Sequence, residues 1–229
     1  SFIVLARLCI VSLGIVMDKF ELFFSAIVIL SIVIGSLFAT VQTDMKRLIA
    51  YSGVVQSGFI LSGMTSGING TSASLFYLAA YVLQLIGIFL IFSAISGELT
   101  SDFSMNNLSG LFIENKFLSI CFSIFMLGLA GLPLTSGFIS KFILITNLWS
   151  YEKYILVFAL MLSTVAGFYF YLKPIWIATI DKPENSVSKI SLQLNEKISI
   201  GTLAAVTILL GVFPNVLINI SRWVIQNYL

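Results

Sequence analysis

Histidine does not occur in this 229-residue chain, and cysteine occurs twice. Cys9 and Cys121 lie inside apolar runs, where a thiol is ordinarily a small inert packing group, and they are not spaced as a pair of metal ligands. Without imidazoles or paired thiolates the chain is expected to bind no haem, iron–sulfur cluster or zinc ion of its own. Any redox chemistry is left to a partner. Charge is scarce too: 12 basic and 10 acidic residues are 10% of the sequence, and the basic ones are scattered. That distribution suggests neither a nucleic-acid surface nor a polybasic lipid patch. Paired carboxylates, a nucleophile triad and a glycine-rich phosphate loop are absent.

What remains is mostly hydrocarbon. Hydrophobic residues make up 59% of the chain and mean hydropathy is +1.06, whereas an ordinary soluble domain is roughly 25% charged and about half apolar. The composition is that of an all-α integral membrane protein surrounded by lipid. A hydrocarbon core of about 30 Å takes roughly 20 helical residues. That ruler predicts a polytopic transmembrane helix bundle of seven helices, one of them broken, forming a single domain over 1–229. The helices fall at about 1–17, 20–42, 48–65, 73–96, 112–145, 152–178 and 198–219. Connections lie at Asp18–Glu21, Thr43–Arg47, the Gly- and Ser-containing stretch Ser66–Ser72, Gly97–Asn107, Tyr151–Lys153 and the polar segment Asp181–Lys197. Counted over alternate connections, Lys46, Arg47, Lys116, Lys173, Lys182, Lys189 and Lys197 face Lys19, Lys153 and Arg222. The richer set belongs in the cytoplasm or matrix, with the N-terminus inside and the C-terminus outside. The chain starts at Ser1, and the apolar run begins at once without a signal peptide's basic region and cleavage site. That start predicts an upstream part carried by another chain or by a preceding segment.

The apolar run from Phe117 to Trp149 is anomalous. As one helix it would span roughly 50 Å, well beyond the hydrocarbon. It contains Gly128, Gly131, Pro133 and Gly137, and it carries Lys141. Pro133 removes a backbone hydrogen bond, and Gly131 and Gly137 admit non-helical angles, so a break is predicted near 130–137. Thr135, Ser136 and Ser140 are there to meet the freed backbone groups. An ammonium inside the membrane costs about 2.5–3.5 kcal/mol on insertion scales and by default marks an ion or proton pathway. Lys141 therefore reads as a buried proton carrier, or alternatively as a lysine snorkelling from a helix end. Other polar groups in the spans are less specific. Arg7 faces either a wet interior or a membrane surface, and Lys46 and Arg47 read as boundary anchors or path residues. Gln56, Tyr77, Tyr81 and Gln84 form either a polar file or separate interhelical hydrogen bonds. Lys173 ends an aromatic stretch, Phe168–Tyr171, that resembles an interfacial belt.

The segment TDMKRLIAYSGVVQSGFILSG (Thr43 to Gly63) and the segment LGLAGLPLTSGFISKF (Leu127 to Phe142) resemble the antiporter-like subunits of respiratory complex I and of the multisubunit cation/proton antiporters. The likeness continues through FYFYLKP (Phe168 to Pro174) and LLGVFPNVLI (Leu209 to Ile218), so it covers essentially the whole chain. SGFISKF carries lysine where one sister branch carries glutamate. This is most similar to the branch called subunit N in bacteria and NADH dehydrogenase subunit 2 in mitochondria.

The resemblance implies fourteen helices in two inverted five-helix repeats, each with a broken helix and a proton half-channel. This chain would supply helices eight to fourteen. Its 112–145 run is then the broken twelfth helix, and Lys141 the lysine of the second half-channel. The central lysine of helix eight should fall at or just before Ser1, a departure from the pattern that leaves Arg7 as a substitute on the central axis. Implied with it is a non-redox, proton-translocating role in NADH:ubiquinone oxidoreductase. The partners are other membrane-arm subunits and the missing N-terminal half. NADH, FMN, iron–sulfur clusters and ubiquinone sit in partner subunits. The rivals are a sodium/proton antiporter subunit and a pump-inactive assembly scaffold. The absence of histidine and the abundance of Phe, Ile, Leu, Ser and Asn suit an A/T-rich organellar genome. This points to the mitochondrial inner membrane, with a bacterial plasma membrane as the alternative.

Overall fold

Caps and backbone breakers, more than hydropathy, decide where these helices begin and end. The computed structural model describes residues 4–5, 17–96, 103–181 and 192–228. The predicted first helix, 1–17, lies almost wholly outside the described residues. Helix α1 runs Met17–Thr40. Helix α2, Met45–Gly63, starts where the Asp44 carboxylate accepts the Arg47 N–H at 2.9 Å, the N-cap that satisfies an otherwise orphaned donor. A 3₁₀ turn, Met64–Ser66, leads directly into α3, Gly67–Ser96, with Gly67 at φ +66° making the corner. Helix α4, Lys116–Ala130, is capped by Asn115, and α5, Ser136–Ser150, by Thr135. Helices α6, Tyr154–Thr179, α7, Leu194–Val212, and α8, Asn215–Tyr228, complete the bundle.

Three boundaries differ from the hydropathy ruler. Ser66–Ser72, expected as a connection before a helix at 73, is helical from Gly67 onward. Its hydroxyls turn back onto the helix: Thr71 Oγ1 donates to the Gly67 carbonyl at 2.9 Å and Ser72 Oγ to that of Ile68 at 3.1 Å. A polar string thus becomes self-satisfied helix. The predicted 112–145 run is three pieces: a short helix, Leu111–Glu114, ended at Asn115, then α4 and α5, divided at Gly131–Thr135, the last continuing to Ser150. The predicted 198–219 helix is also two, α7 and α8, because Pro214 ends the first and opens the second.

Helix α3 is the hub, packed against α2, α4, α5, α7 and α8, while α1 closes on α2 and α6. Long α1, α6 and α7, together with the continuous α2–α3 stretch, are apolar and long enough to cross a bilayer. Their outward side chains, among them Leu22, Ile155 and Leu162, are exposed at 72–83%, as lipid-facing positions must be. The second, fourth and sixth connections meet at one end. Met45 N–H donates to the Phe103 carbonyl at 2.8 Å, Phe103 N–H to Asp44 Oδ2 at 3.0 Å, and Gly110 N–H to the Asp181 carbonyl at 3.1 Å. At the opposite end Lys153 pairs with Glu21, and Tyr151 sits over Gly67. Alternate connections thus gather at opposite ends, the alternation from which the orientation was counted.

Two apolar cores fill the bundle. One, around Leu48, Phe92, Phe103, Phe122 and Phe125, lies toward the lysine-rich end. The other, around Val28, Phe59, Ile60, Leu144 and Leu148, lies toward the other end. Along α2 and α3 the polar residues Gln56 and Gln84 fall between them.

Candidate functional site

The break between α4 and α5 builds the site. Leu129 would normally give its carbonyl to the N–H of residue 133, but Pro133 has none. Gly131, at φ +87°, turns the chain out of α4 and donates its own N–H to the Leu127 and Gly128 carbonyls. The carbonyls of Leu129 and Ala130 are therefore left facing inward. Lys141, 6% exposed, reaches back from the second turn of α5 and donates from Nζ to both, at 3.0 Å each. The same ammonium lies 5.2 Å from the Phe59 ring centroid. A helix C-terminus and an aromatic face both favour a cation. Among the described residues no carboxylate pairs with Lys141, while Lys153 pairs with Glu21 at the outer end. Among the described residues the Lys141 ammonium is thus held by carbonyl dipoles and a π-face, without a fixed anion beside it.

Close packing sets the break in place. A Cβ on Gly137 would overlap the Gly128 carbonyl, and one on Gly131 would meet Lys141 Cδ at 2.9 Å. Thr135 spends its hydroxyl on the break itself, donating to the Leu132 carbonyl at 2.6 Å and accepting from Phe138 N–H at 3.4 Å. Ser140 donates to the Gly137 carbonyl at 2.9 Å.

A buried polar file adjoins Lys141. Gln84 Nε2 donates to Ser136 Oγ at 3.0 Å. Gln56 donates to the Tyr171 hydroxyl at 2.9 Å and accepts a short hydrogen bond from Tyr77. Between these pairs lies a cavity of about 10 Å³ lined by Gln56, Tyr77, Tyr81, Gln84, Gly128, Leu129, Gly137 and Ser140, near the threshold for one water. No buried side-chain polar atom among the described residues lacks a partner. The structure thus brings together Lys141, Gln56, Tyr81, Gln84, Ser140 and the Gly131–Gly137 break.

Two expected residues stand apart. Lys46 is in the first turn of α2, ten residues before Gln56 and so about 15 Å along the axis. Arg7 lies outside the described residues. The Phe168–Tyr171 stretch, expected as an interfacial belt, faces outward only in part: Tyr169 is 62% exposed, whereas Phe170 and Tyr171 are each 1% exposed and packed in the core. Tyr171 and Phe59 are site residues that the sequence reading missed. The signal available was that each shares a helix face with another buried residue, Phe59 with Gln56 on α2 and Tyr171 with Gly167 on α6.

Known proteins match both this fold and this sequence. Residues 1–167 match the family described as NADH:quinone oxidoreductase/Mrp antiporter, TM. NAD(P)H-quinone oxidoreductase subunit 2 of Microcystis aeruginosa is 32% identical over 185 residues, which is 80% of this chain and 36% of that one. A chain of respiratory complex I from Thermus thermophilus, solved with bound aureothin, superposes with a TM-score of 0.78 at 24% identity, over 87% of this chain and 45% of that one. A chain of the Mrp complex from Dietzia sp. DQ12-45-1b superposes with a TM-score of 0.77 at 20% identity, over 90% and 46%. At these identities the two structures speak for the fold. The chain spans about two fifths of the length of the curated relatives it matches.

Proposed function

The chain belongs to the NADH:quinone oxidoreductase/Mrp antiporter transmembrane family, and from that premise we propose that it is a non-redox, proton-translocating membrane-arm subunit of an NADH:ubiquinone oxidoreductase. The observation that carries the reading is Lys141, buried at a helix break with two carbonyls and a ring for partners and a polar file beside it. In this reading a charge change in a neighbouring subunit shifts the balance between protonated and neutral Lys141. The proton leaves Nζ toward the outer end and is replaced through the polar file. Among the described residues no cluster of three His, Cys, Asp or Glu exists to hold a metal. In this reading NADH, flavin, iron–sulfur clusters and ubiquinone are assigned to partner subunits, and no step here runs through them. The relatives' remaining length, on this polypeptide or another, would supply the upstream half-channel.

The mitochondrial inner membrane is the location this reading favours, supported by the histidine-free composition. The named relative is cyanobacterial, and membrane fractionation followed by detection of this chain decides between organelle and plasma membrane. A second reading, a cation/proton antiporter subunit, draws on the Mrp likeness. Sealed vesicles separate the two. The first reading expects NADH-driven proton movement without added sodium, and co-purification with flavin and iron–sulfur subunits. Sodium-gradient exchange with no response to NADH would favour the second.

A further inference from the structure

Gln56 and Phe59 lie on one face of α2, almost a turn apart, and both take hold of the same side chain of α3. The Tyr77 hydroxyl donates to Gln56, and the Tyr77 ring stacks on the Phe59 ring, with centroids 5.5 Å apart and planes 11° from parallel. Gln56 is anchored in turn, because its amide donates to the Tyr171 hydroxyl of α6 at 2.9 Å. All four side chains are buried. The Phe59 ring is thereby fixed by contacts that reach α3 directly and α6 through Gln56.

The ring so fixed meets a charge. Lys141 Nζ carries three N–H groups, and the Leu129 and Ala130 carbonyls take two of them. The further partner of the ammonium is the Phe59 face, 5.2 Å from Nζ to the centroid, within the range of about 6 Å over which a ring attracts a cation. A neutral amine feels no such attraction. The ring therefore discriminates between the two protonation states, and only a partner that does so shifts the balance between them.

Other groups near Lys141 do not offer that discrimination. On the helices packed against α5, the titratable groups at its level among the described residues are the phenols of Tyr77 and Tyr81 on α3 and Tyr171 on α6. The charged side chains of those helices lie toward the lysine-rich end, Lys46 and Arg47 on α2, Lys116 on α4, Lys173 on α6, and Glu196 and Lys197 on α7. Cys121 of α4 is buried in the core at that end. Lys153 pairs with Glu21 at the outer end, and Arg222 of α8 lies near Asn147, more than a turn outward of Lys141.

We propose that Phe59 is a positioning residue for the proton on Lys141: its ring, held by Tyr77 and Gln56, favours the charged ammonium over the neutral amine at the α4–α5 break. This rests on the reading of Lys141 as a proton site. The glutamine–tyrosine layer then has a task besides adjoining Lys141, which is to set the angle of a ring. Phe59 rides on α2 and Lys141 on α5. A shift between those two helices changes the distance from cation to ring, and with it the readiness of the proton to leave.

The test is the pH profile of protons moved per NADH oxidised, in sealed vesicles containing the assembled complex. Subtracting the ratio of Lys141→Ala at each pH leaves the part that depends on Lys141. Loss of the ring disfavours the ammonium, so in Phe59→Leu the alkaline midpoint of that part should fall by about one pH unit, a tenfold change in the protonation equilibrium. Phe59→Met, also apolar and of similar size, should do the same, and it decides the matter if Phe59→Leu fails to assemble. Phe59→Tyr keeps the ring face and should hold the midpoint near that of the unaltered chain. Phe122→Leu removes a fully buried ring from the other core and should leave the midpoint in place. The proposal is overturned by an unmoved midpoint in assembled Phe59→Leu and Phe59→Met, or by an equal fall in Phe59→Tyr or Phe122→Leu. An unchanged ratio in Lys141→Ala would instead sink the reading of Lys141 itself, so the two failures are told apart.

Discussion

At the scale of single residues, the decisive feature is that uncharged groups hold Lys141 and that Gln56, Tyr77, Gln84 and Ser140 near it are each hydrogen-bonded. Gln56 illustrates what that costs to disturb. Its amide serves two tyrosines at once, Tyr77 and Tyr171, in a layer that is 3% exposed or less. Gln56→Leu should destabilise the subunit by about 1–3 kcal/mol for each hydroxyl left orphaned, visible as a lower melting temperature of the purified complex. Adding Tyr77→Phe and Tyr171→Phe should recover most of the loss, because the unmade hydrogen bonds vanish with the two hydroxyls. If the triple variant is no better than Gln56→Leu alone, the network is not what Gln56 supports. The two glutamines were legible in the sequence, since an amide in an apolar helix must find a partner. Tyr171 was not: inside the FYFY stretch its ring reads as one more hydrophobic group, and only the fold reveals that its hydroxyl points inward while Tyr169 faces out at 62% exposure.

At the scale of elements, the break between α4 and α5 is a device made by one missing N–H. Pro133→Ala would return a donor to the Leu129 carbonyl and set it in competition with Lys141. The expected result is a longer α4, slower amide hydrogen exchange across 131–135, and a lower proton yield per electron. Unchanged exchange would show that Gly131 and Thr135 suffice to keep the break. This element was readable beforehand because glycine, proline and lysine interrupt an apolar run too long for the bilayer. The α7–α8 break was missed although Pro214 was in view, since a hydropathy window counts through a single proline. The Ser66–Ser72 corner misled for the opposite reason: its polarity suggested a loop, and its hydroxyls turned out to be spent on helix carbonyls.

At the scale of the whole molecule, ties between alternate connections hold the bundle's two ends, and the ties differ in strength. Asp44 caps α2 and also receives the Phe103 N–H. Asp44→Ala should therefore cost about 2 kcal/mol, a cap plus a charge-assisted hydrogen bond. The Lys153–Glu21 pair at the other end is partly exposed, at 22% and 36%, and Lys153→Ala should cost within about 1 kcal/mol. Thermal unfolding of the two variants ranks the ties, and the opposite order would contradict the architecture described. Between these ends the polar layer runs through the middle of the bundle, and Lys141 sits ten residues inward of Tyr151, about 15 Å from the outer end. The account stands or falls on that one ammonium. The most direct measurement is the number of protons moved per NADH oxidised in vesicles containing the complex with Lys141→Ala. A lower ratio with assembly intact is the predicted result; an unchanged ratio would contradict it.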